Sequence, residues 1–290
     1  MYVNPYENLT GGRWLKANFH THAGTGEGTC GRWPIDFVLD LYKKLEYGAV
    51  CISNHDLYTD TTALGDDSLC MVQGVEYSTD EHMLTICAGK SLHGLPHQEA
   101  IDEAARRGGF TILCHPNWIR DKYWPLDKIS ELNGFIGIEV YNGLVTRYKG
   151  SGVATDTWDA ILKGGRLVYG FGSDDYHMPF DAGRSFTHIY AAEPGEEGIK
   201  KAVRAGRFTA STGIGLEEFV FENGALRVKA NYLKETYVET FKYRFVTENG
   251  IALETEGKSA SYKLNGERYV RAEALAENGM LLYTQPLWRA

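Results

Sequence analysis

Long apolar runs are missing from this 290-residue chain. Nowhere do about 18 uninterrupted apolar residues occur, and Met1 to Gly12 has no basic segment followed by an apolar core, so neither a membrane span nor a signal peptide is expected. A cytoplasmic protein with no membrane partner is the resulting expectation. Positive charge is also scarce: 30 Lys and Arg stand against 38 Asp and Glu, giving a formal net charge of −8 and a pI near 5.6. That balance leaves no electrostatic footprint for a duplex, so stable duplex binding is not expected, although a local basic pocket is allowed. The five cysteines (Cys30, Cys51, Cys70, Cys87, Cys114) form an odd set without C-x-x-C spacing. Four of them sit in or beside apolar strand-like runs, and they read as small buried hydrophobes in a reducing compartment. No internal repeat, low-complexity tract or long linker is visible.

What is present is an ordinary globular composition, 43% hydrophobic and 23% charged, long enough for one large α/β domain with a small appendage. Strand-like runs at Leu15–Phe19, Ala49–Ser53, Leu69–Val75, Met83–Ala88, Phe110–Cys114, Phe135–Val140, Arg166–Phe171 and Phe186–Ala192 are separated by helical or loop segments. Pro34 opens a helix over Ile35–Tyr47 that stops at Gly48, Gln98–Arg107 ends at Gly108-Gly109, and Val153–Lys163 and Gly198–Ala205 repeat the pattern. Such alternation implies a mostly parallel sheet. After Gly213 the character changes. Four Asn-Gly dipeptides (Asn223-Gly224, Asn249-Gly250, Asn265-Gly266, Asn278-Gly279) separate short alternating segments, and Asn-Gly is the strongest short hairpin signal because both residues tolerate positive φ. The expected partition is therefore 1–213 as the α/β unit and 214–290 as an antiparallel β-rich module.

Chemistry concentrates at the ends of the strand-like runs. His20-Thr21-His22 ends the first, and imidazoles at i and i+2 of a strand project from one face in a chelating arrangement. Later runs finish on Asn54-His55-Asp56, Glu76, His115-Pro116, Glu139 and Gly172-Ser173-Asp174-Asp175-Tyr176-His177. In barrels of parallel strands, functional groups converge at the C-terminal strand ends, so these residues are expected to share one site. So many carboxylates and imidazoles around one mouth repel and compete for protons, and divalent cations resolve that conflict.

In order and spacing, His20-x-His22, Asn54-His55-Asp56, Gly74-Val75-Glu76, Cys114-His115-Pro116, Ile138-Glu139-Val140-Tyr141-Asn142 and Asp174-Asp175-x-His177 resemble the PHP (polymerase and histidinol phosphatase) family of metal-dependent phosphoesterases over residues 14–213. The resemblance implies a distorted seven-stranded β/α barrel with two to three divalent ions (Zn, Mn or Fe) at its mouth. By it, His20 and His22 hold one ion with Glu76 and Asp175, Glu76 bridges to a second ion bound by His115, and His55 and His177 take a third. Glu139 stands at a second-ion ligand position, and Glu27 occupies the place of the family's usual Asp. His82 matches a histidine often found there, as ligand or support.

The activity so implied is hydrolysis of a phosphoester (a small phosphorylated metabolite, a nucleotide or an oligonucleotide end) by metal-activated water, with no Ser or Cys nucleophile. Glu76, Asp175 and His177 are the expected catalytic residues, His177 as a proton donor to the leaving oxygen. Arg184, Arg147 and Asn117 are the expected substrate contacts, and Lys149 is a further phosphate contact. For the C-terminal module, the expected roles are packing, homo-oligomer formation or partial cover of the site. Two other readings stand beside this one: a non-catalytic metal- or ligand-binding regulatory module, and a nucleic-acid-processing nuclease.

Overall fold

A proline stands directly before the first residue of four of the five α-helices: Pro34, Pro96, Pro125 and Pro194. The ring presets the backbone there and donates no N–H, so the chain enters each helix at little entropic cost. The computed structural model describes residues 1–26, 29–119, 123–234 and 240–290. After β1 (Tyr2–Val3) come β2 (Arg13–Asn18), α1 (Ile35–Lys44), β3 (Tyr47–Ile52), β4 (Cys70–Tyr77), β5 (Met83–Ile86), α2 (His97–Arg106) and β6 (Phe110–Leu113). Then follow α3 (Leu126–Glu131), β7 (Gly137–Asn142), α4 (Thr155–Lys163), β8 (Tyr169–Ser173), β9 (Phe186–Ala191), α5 (Gly195–Arg204) and β10 (Phe208–Ser211). Each expected strand and helix falls on one of these elements with small shifts at its ends. Among the described residues, no helix is long and apolar enough to cross a membrane.

The central sheet runs in the order β10-β9-β2-β3-β4-β5-β6-β7-β8. Strands β2, β3 and β4 are parallel, as are β6, β7 and β8. Strand β5 is antiparallel to both neighbours, and β9 is antiparallel to β2. The arrangement is thus mixed, parallel-rich α/β. Reversal of β5 has a direct consequence: its first residues lie at the mouth where the other strands end, which brings His82 to the same place as Glu76. Along the free edge of β8 two side chains take the place of a backbone ladder, one from β9 and one from the segment after Thr284. Thr187 Oγ1 donates to Gly172 O at 3.0 Å, while the Gln285 amide donates to Gly170 O at 2.8 Å and accepts from Gly170 N at 2.9 Å.

Inside the curled sheet, Phe19, Phe110, Phe171 and Phe208 form a chain of ring contacts with centroids 4.5–6.1 Å apart. With Ala17, Cys51, Leu84, Ile112 and Ile189 they build an apolar floor, leaving the polar residues of the strand ends above it.

From Ile214 every strand pairing is antiparallel: β11 (Ile214–Glu222), β12 (Ala225–Tyr232), β13 (Phe241–Thr247), β14 (Gly250–Gly257), β15 (Ala260–Lys263), β16 (Tyr269–Leu275), β17 (Leu281–Thr284) and β18 (Leu287–Arg289). Each Asn-Gly pair lies at a connection; Asn223 and Gly224 both have positive φ, 52° and 72°, as a type I′ turn requires. Strand β17 pairs with β10, so the sheet runs on across residue 213. A buried ion pair ties the same region to α4: Arg271 Nε and Nη2 each lie 2.7 Å from Asp159, Nη1 lies 2.6 Å from Glu273, and the guanidinium covers the Trp158 ring.

Candidate metal centre

The His20–His22 segment continues β2 as an extended strip held on both sides. Ser53 N donates to Thr21 O at 2.8 Å, and His22 N donates to Tyr176 O at 2.9 Å. Both imidazoles consequently face the same way, into a fully buried site. Two other contributors leave their strands through positive φ, His115 at 32° and Asp175 at 52°, a backbone state that costs energy in non-glycine residues and turns these side chains inward.

Among the buried atoms at the centre that lack a hydrogen-bond partner are His20 Nε2, His22 Nε2, Glu76 Oε2 and Asp175 Oδ1. His20 Nε2 is 3.2 Å from the Glu76 oxygen and 3.3 Å from the Asp175 oxygen, and His22 Nε2 is 3.2 and 3.4 Å from the same two. Ligands about 2.0–2.1 Å from a tetrahedral ion lie about 3.3–3.4 Å apart. Unpaired donors at these separations fit a divalent ion.

Glu76 reaches in two directions. Its Oε2 belongs to the set just described and lies 2.8 Å from His55 Nδ1, whereas Oε1 lies 2.8 Å from His82 Nδ1 and 3.3 Å from His115 Nε2. Metal-capable groups form around both oxygens, one of His20, Glu76, Cys114 and His115, another of His55, Glu76 and His82. A further group unites His22, Cys30, His55 and His177.

Electrostatics follow from packing carboxylates among imidazoles out of water. Burial would strip protons from His20 and His22. At His20 the carboxylates of Asp175, Glu76 and Glu139 outweigh it, at His22 Asp175, Cys30 and Glu76 do, and both imidazoles are held well above their ordinary range. Burial likewise works to raise Glu76 and Asp175, but the surrounding histidines pull both carboxyls well below theirs. Against burial, Glu76 and Cys30 lift His55 to about 9. His82 goes the other way, because burial exceeds the pull of Glu76. For Cys30, hydrogen bonding from His177, His22 and His55 overcomes burial and brings the thiol down to about 4. A cluster that gathers positive charge this strongly suits divalent cations in place of protons.

Several expected site residues sit elsewhere than the sequence reading placed them. Glu139, expected as a ligand, stands behind His20: Oε1 is 2.7 Å from His20 Nδ1, and Oε2 accepts from His115 N and the Asn142 amide. Both of its oxygens are thus occupied by neighbouring groups. Asn117 ties the loop to α4, donating to Asp156 and Val153 and accepting from Thr157, and does not line the cavity. Arg184 is exposed and donates to Phe180 O, also off the cavity wall. Arg147 does line it, held 2.8 Å from buried Asp181. Glu27 lies outside the described residues. Asp174, passed over in favour of Asp175, is consumed by five donors: Tyr42, Tyr47 and the backbone of Gly183, Arg184 and Ser185.

Cys30, Arg32, Trp118 and Tyr148 also border the site, in a cavity of about 390 Å³ that opens onto His55, Glu76, His82, His115, Asp175 and His177. The sequence carried no signal for Cys30 or Arg32, which lie in a glycine-rich loop without ligand spacing. Trp118 follows the His115-Pro116 motif closely, but nothing in its type indicates a wall.

Fold and site together define a PHP-like α/β scaffold with a metal-capable cluster at its mouth. The structure is similar to that of a two-domain protein from Bacteroides vulgatus containing a predicted PHP-like metal-dependent phosphoesterase, with a TM-score of 0.54 and 18% identity over 97% of each chain. At that identity the likeness is one of fold. Endonuclease Q bound to a 27-mer duplex with an abasic lesion, and the lesion-specific endonuclease of this type from Pyrococcus furiosus, align with TM-scores of 0.47 and 14% identity. Those alignments cover 66% of this chain and 57% and 56% of the endonuclease chains. No family model and no curated protein matches the sequence.

Proposed function

We propose that this protein is a metal-dependent phosphoesterase acting on a small phosphorylated molecule. The observation that carries the reading is that four unpartnered buried atoms meet, with the Nε2 atoms of His20 and His22 each 3.2–3.4 Å from the Glu76 and Asp175 oxygens, and that Glu76 continues to His115. Divalent cations held there supply Lewis acidity toward phosphate oxygens and a nucleophile from water near neutral pH.

The chain's own residues do the rest. His20, His22, Glu76 and Asp175 bind one cation, and Glu76 with His115 binds a second. Arg147 and Arg32 place positive charge on the cavity wall, where a guanidinium can pair with phosphate oxygens. Trp118 and Tyr148, with ring centroids 5.5 Å apart, offer an apolar face to the leaving group. His177 has Nδ1 3.1 Å from Asp175 O and Nε2 3.5 Å from Cys30 Sγ, so both ring nitrogens are engaged and we assign it to binding instead of proton donation. The cavity volume and the net charge of −8 favour a compact substrate over a strand of many nucleotides.

The test is turnover by protein reconstituted with Mn, Zn or Fe(II), assayed on p-nitrophenyl phosphate, its diester analogue, cyclic nucleotides and short oligonucleotides. Metal-dependent release from a monoester or small diester is expected. No metal-dependent turnover on any of them would leave the non-catalytic module as the better reading, and turnover confined to oligonucleotides would favour the nuclease.

A further inference from the structure

Along β2 the side chains alternate between the two faces of the sheet, so Ala17 enters the apolar floor while Trp14 and Lys16 take the other face, against which the C-terminal strands pack. A second cavity, of about 180 Å³, opens there, with Leu45, Tyr47, Phe186, Tyr232, Leu233 and Met280 as its apolar wall. Lys16 and Lys234 are the charged residues of that wall, and among the described residues no carboxylate shares it. Lys234 is exposed and lies 3.9 Å from Glu46. Lys16 is half-buried; its Nζ donates to Leu45 O and lies 5.1 and 5.8 Å from the ring centroids of Tyr47 and Phe186. One backbone carbonyl and two ring faces leave a partly desolvated ammonium short of the negative charge it requires. Burial, and after it Lys234, hold that ammonium below its ordinary value against the pull of Glu46 and Asp174.

Backbone contacts fix the walls. Leu233 N donates to Gly213 O at 3.1 Å, Thr212 N donates to Leu281 O at 3.0 Å, and a Cβ on Gly213 would lie 2.7 Å from Met280 Sδ. The Thr212 hydroxyl, also at the cavity, accepts from Leu281 N at 2.8 Å and so keeps its own proton to donate. After its bond to Leu45 O, the Lys16 ammonium likewise has protons left to donate. Volume sets the size of an occupant, since an apolar cavity of about 150 Å³ takes up benzene. Aromatic rings and a thioether around the remaining wall favour a flat apolar body.

We propose that this cavity is a binding site for a small monocyclic aromatic monocarboxylate, its carboxylate on Lys16 Nζ and the Thr212 hydroxyl and its ring against Tyr47, Phe186 and Met280. A phosphate monoester fits less well, because a dianion needs more donors than one half-buried ammonium and one hydroxyl supply. The site shares no lining residue with the metal mouth, so binding there stands or falls independently of phosphoester hydrolysis.

The test is titration of benzoate into the full-length protein held with chelator, followed by calorimetry and ligand-observed NMR. Saturable binding is expected, with benzamide and phenyl phosphate each weaker by about tenfold or more, because hydrogen bonds to a charged group carry the discrimination. Lys16→Met keeps the stem and removes the charge; it should lose about tenfold or more in affinity and melt no lower than the wild type. Thr212→Val should lose a few fold, and Arg147→Gln, at the metal mouth, should bind benzoate as the wild type does. If Lys16→Met fails to fold, Thr212→Val and Leu233→Trp, which fills the cavity, decide the matter by the same loss. No saturable binding, benzamide binding as tightly as benzoate, or affinity that falls in Arg147→Gln and survives the cavity variants overturns the proposal. Phenyl phosphate binding more tightly than benzoate, with the same dependence on Lys16, overturns the choice of a carboxylate. Benzoate binding without phosphoester turnover supports this site and removes the proposed activity, whereas turnover without benzoate binding does the reverse.

Discussion

Glu139 Oε1 lies 2.7 Å from His20 Nδ1, and this contact holds the ring so that the opposite nitrogen, Nε2, points at Glu76 and Asp175. A carboxylate behind a histidine holds the tautomer and raises the basicity of the nitrogen in front. Glu139→Gln should therefore fold normally but bind zinc about ten- to a hundredfold more weakly. Competition with a chromophoric chelator measures this, and unchanged affinity would mean the contact is only structural.

Glu76 faces both sides of the centre through its two oxygens. Glu76→Gln should remove at least one equivalent of metal and nearly all phosphoester turnover. By contrast, Arg184→Ala, whose side chain donates to Phe180 O off the cavity wall, should change kcat/KM little. Metal content and kinetics of the two variants, measured side by side, check the contrast.

Protonation of the metal-free cluster sets a pH profile. His20 and His22 are held well above their ordinary range and His55 reaches about 9, so the stabilisation from all three is full below the unfolded value near 6.5; that of His55 disappears as pH rises through about 9, and that of His20 and His22 as pH rises through their own raised values. Glu76 and Asp175 are depressed; theirs is present above the unfolded carboxylate values and disappears only as pH falls toward the folded ones. The chelator-treated protein should consequently lose Tm between pH 6.5 and 9. Metal-loaded protein should gain relative to it over the same range, because cations compete with the protons being lost. Thermal melts with and without chelator, at several pH values, decide this.

Arg271 is buried between Asp159 and Glu273, and removing it strands both carboxylates. Arg271→Ala should cost about 3–5 kcal/mol in chemical denaturation, and Arg271→Met considerably less if Asp159 and Glu273 are made apolar with it. Metal content should be unaffected, since the network lies away from the mouth.

The placement of much of the site was legible because strand-end position converts a one-dimensional pattern into convergence: His20, His22, His55, Glu76, His115, Asp175 and His177 lie together in the structure. Direction was not legible. The run at Met83–Ala88 reads as a strand either way, and only the reversed β5 explains why His82 touches Glu76. Side-chain commitments were equally hidden. Glu139 and Asn117 look like free polar groups in sequence, yet each is used up by neighbours that arrive from distant segments. Cys30 failed for the opposite reason: a lone thiol between glycines carries no spacing, and its partners come from three other loops.

The free edge of β8 has a genetic side. Elsewhere neighbouring strands are joined by main-chain pairs that almost any residue can make, but this edge of β8 is held by the hydroxyl of Thr187 and the amide of Gln285. Neither residue touches the metal centre, yet β8 runs from these contacts straight into Asp175. Chance substitution should therefore be tolerated at positions 187 and 285 far less than their distance from the chemistry suggests, and inherited loss of the Gln285 amide would show first as a displaced Asp175.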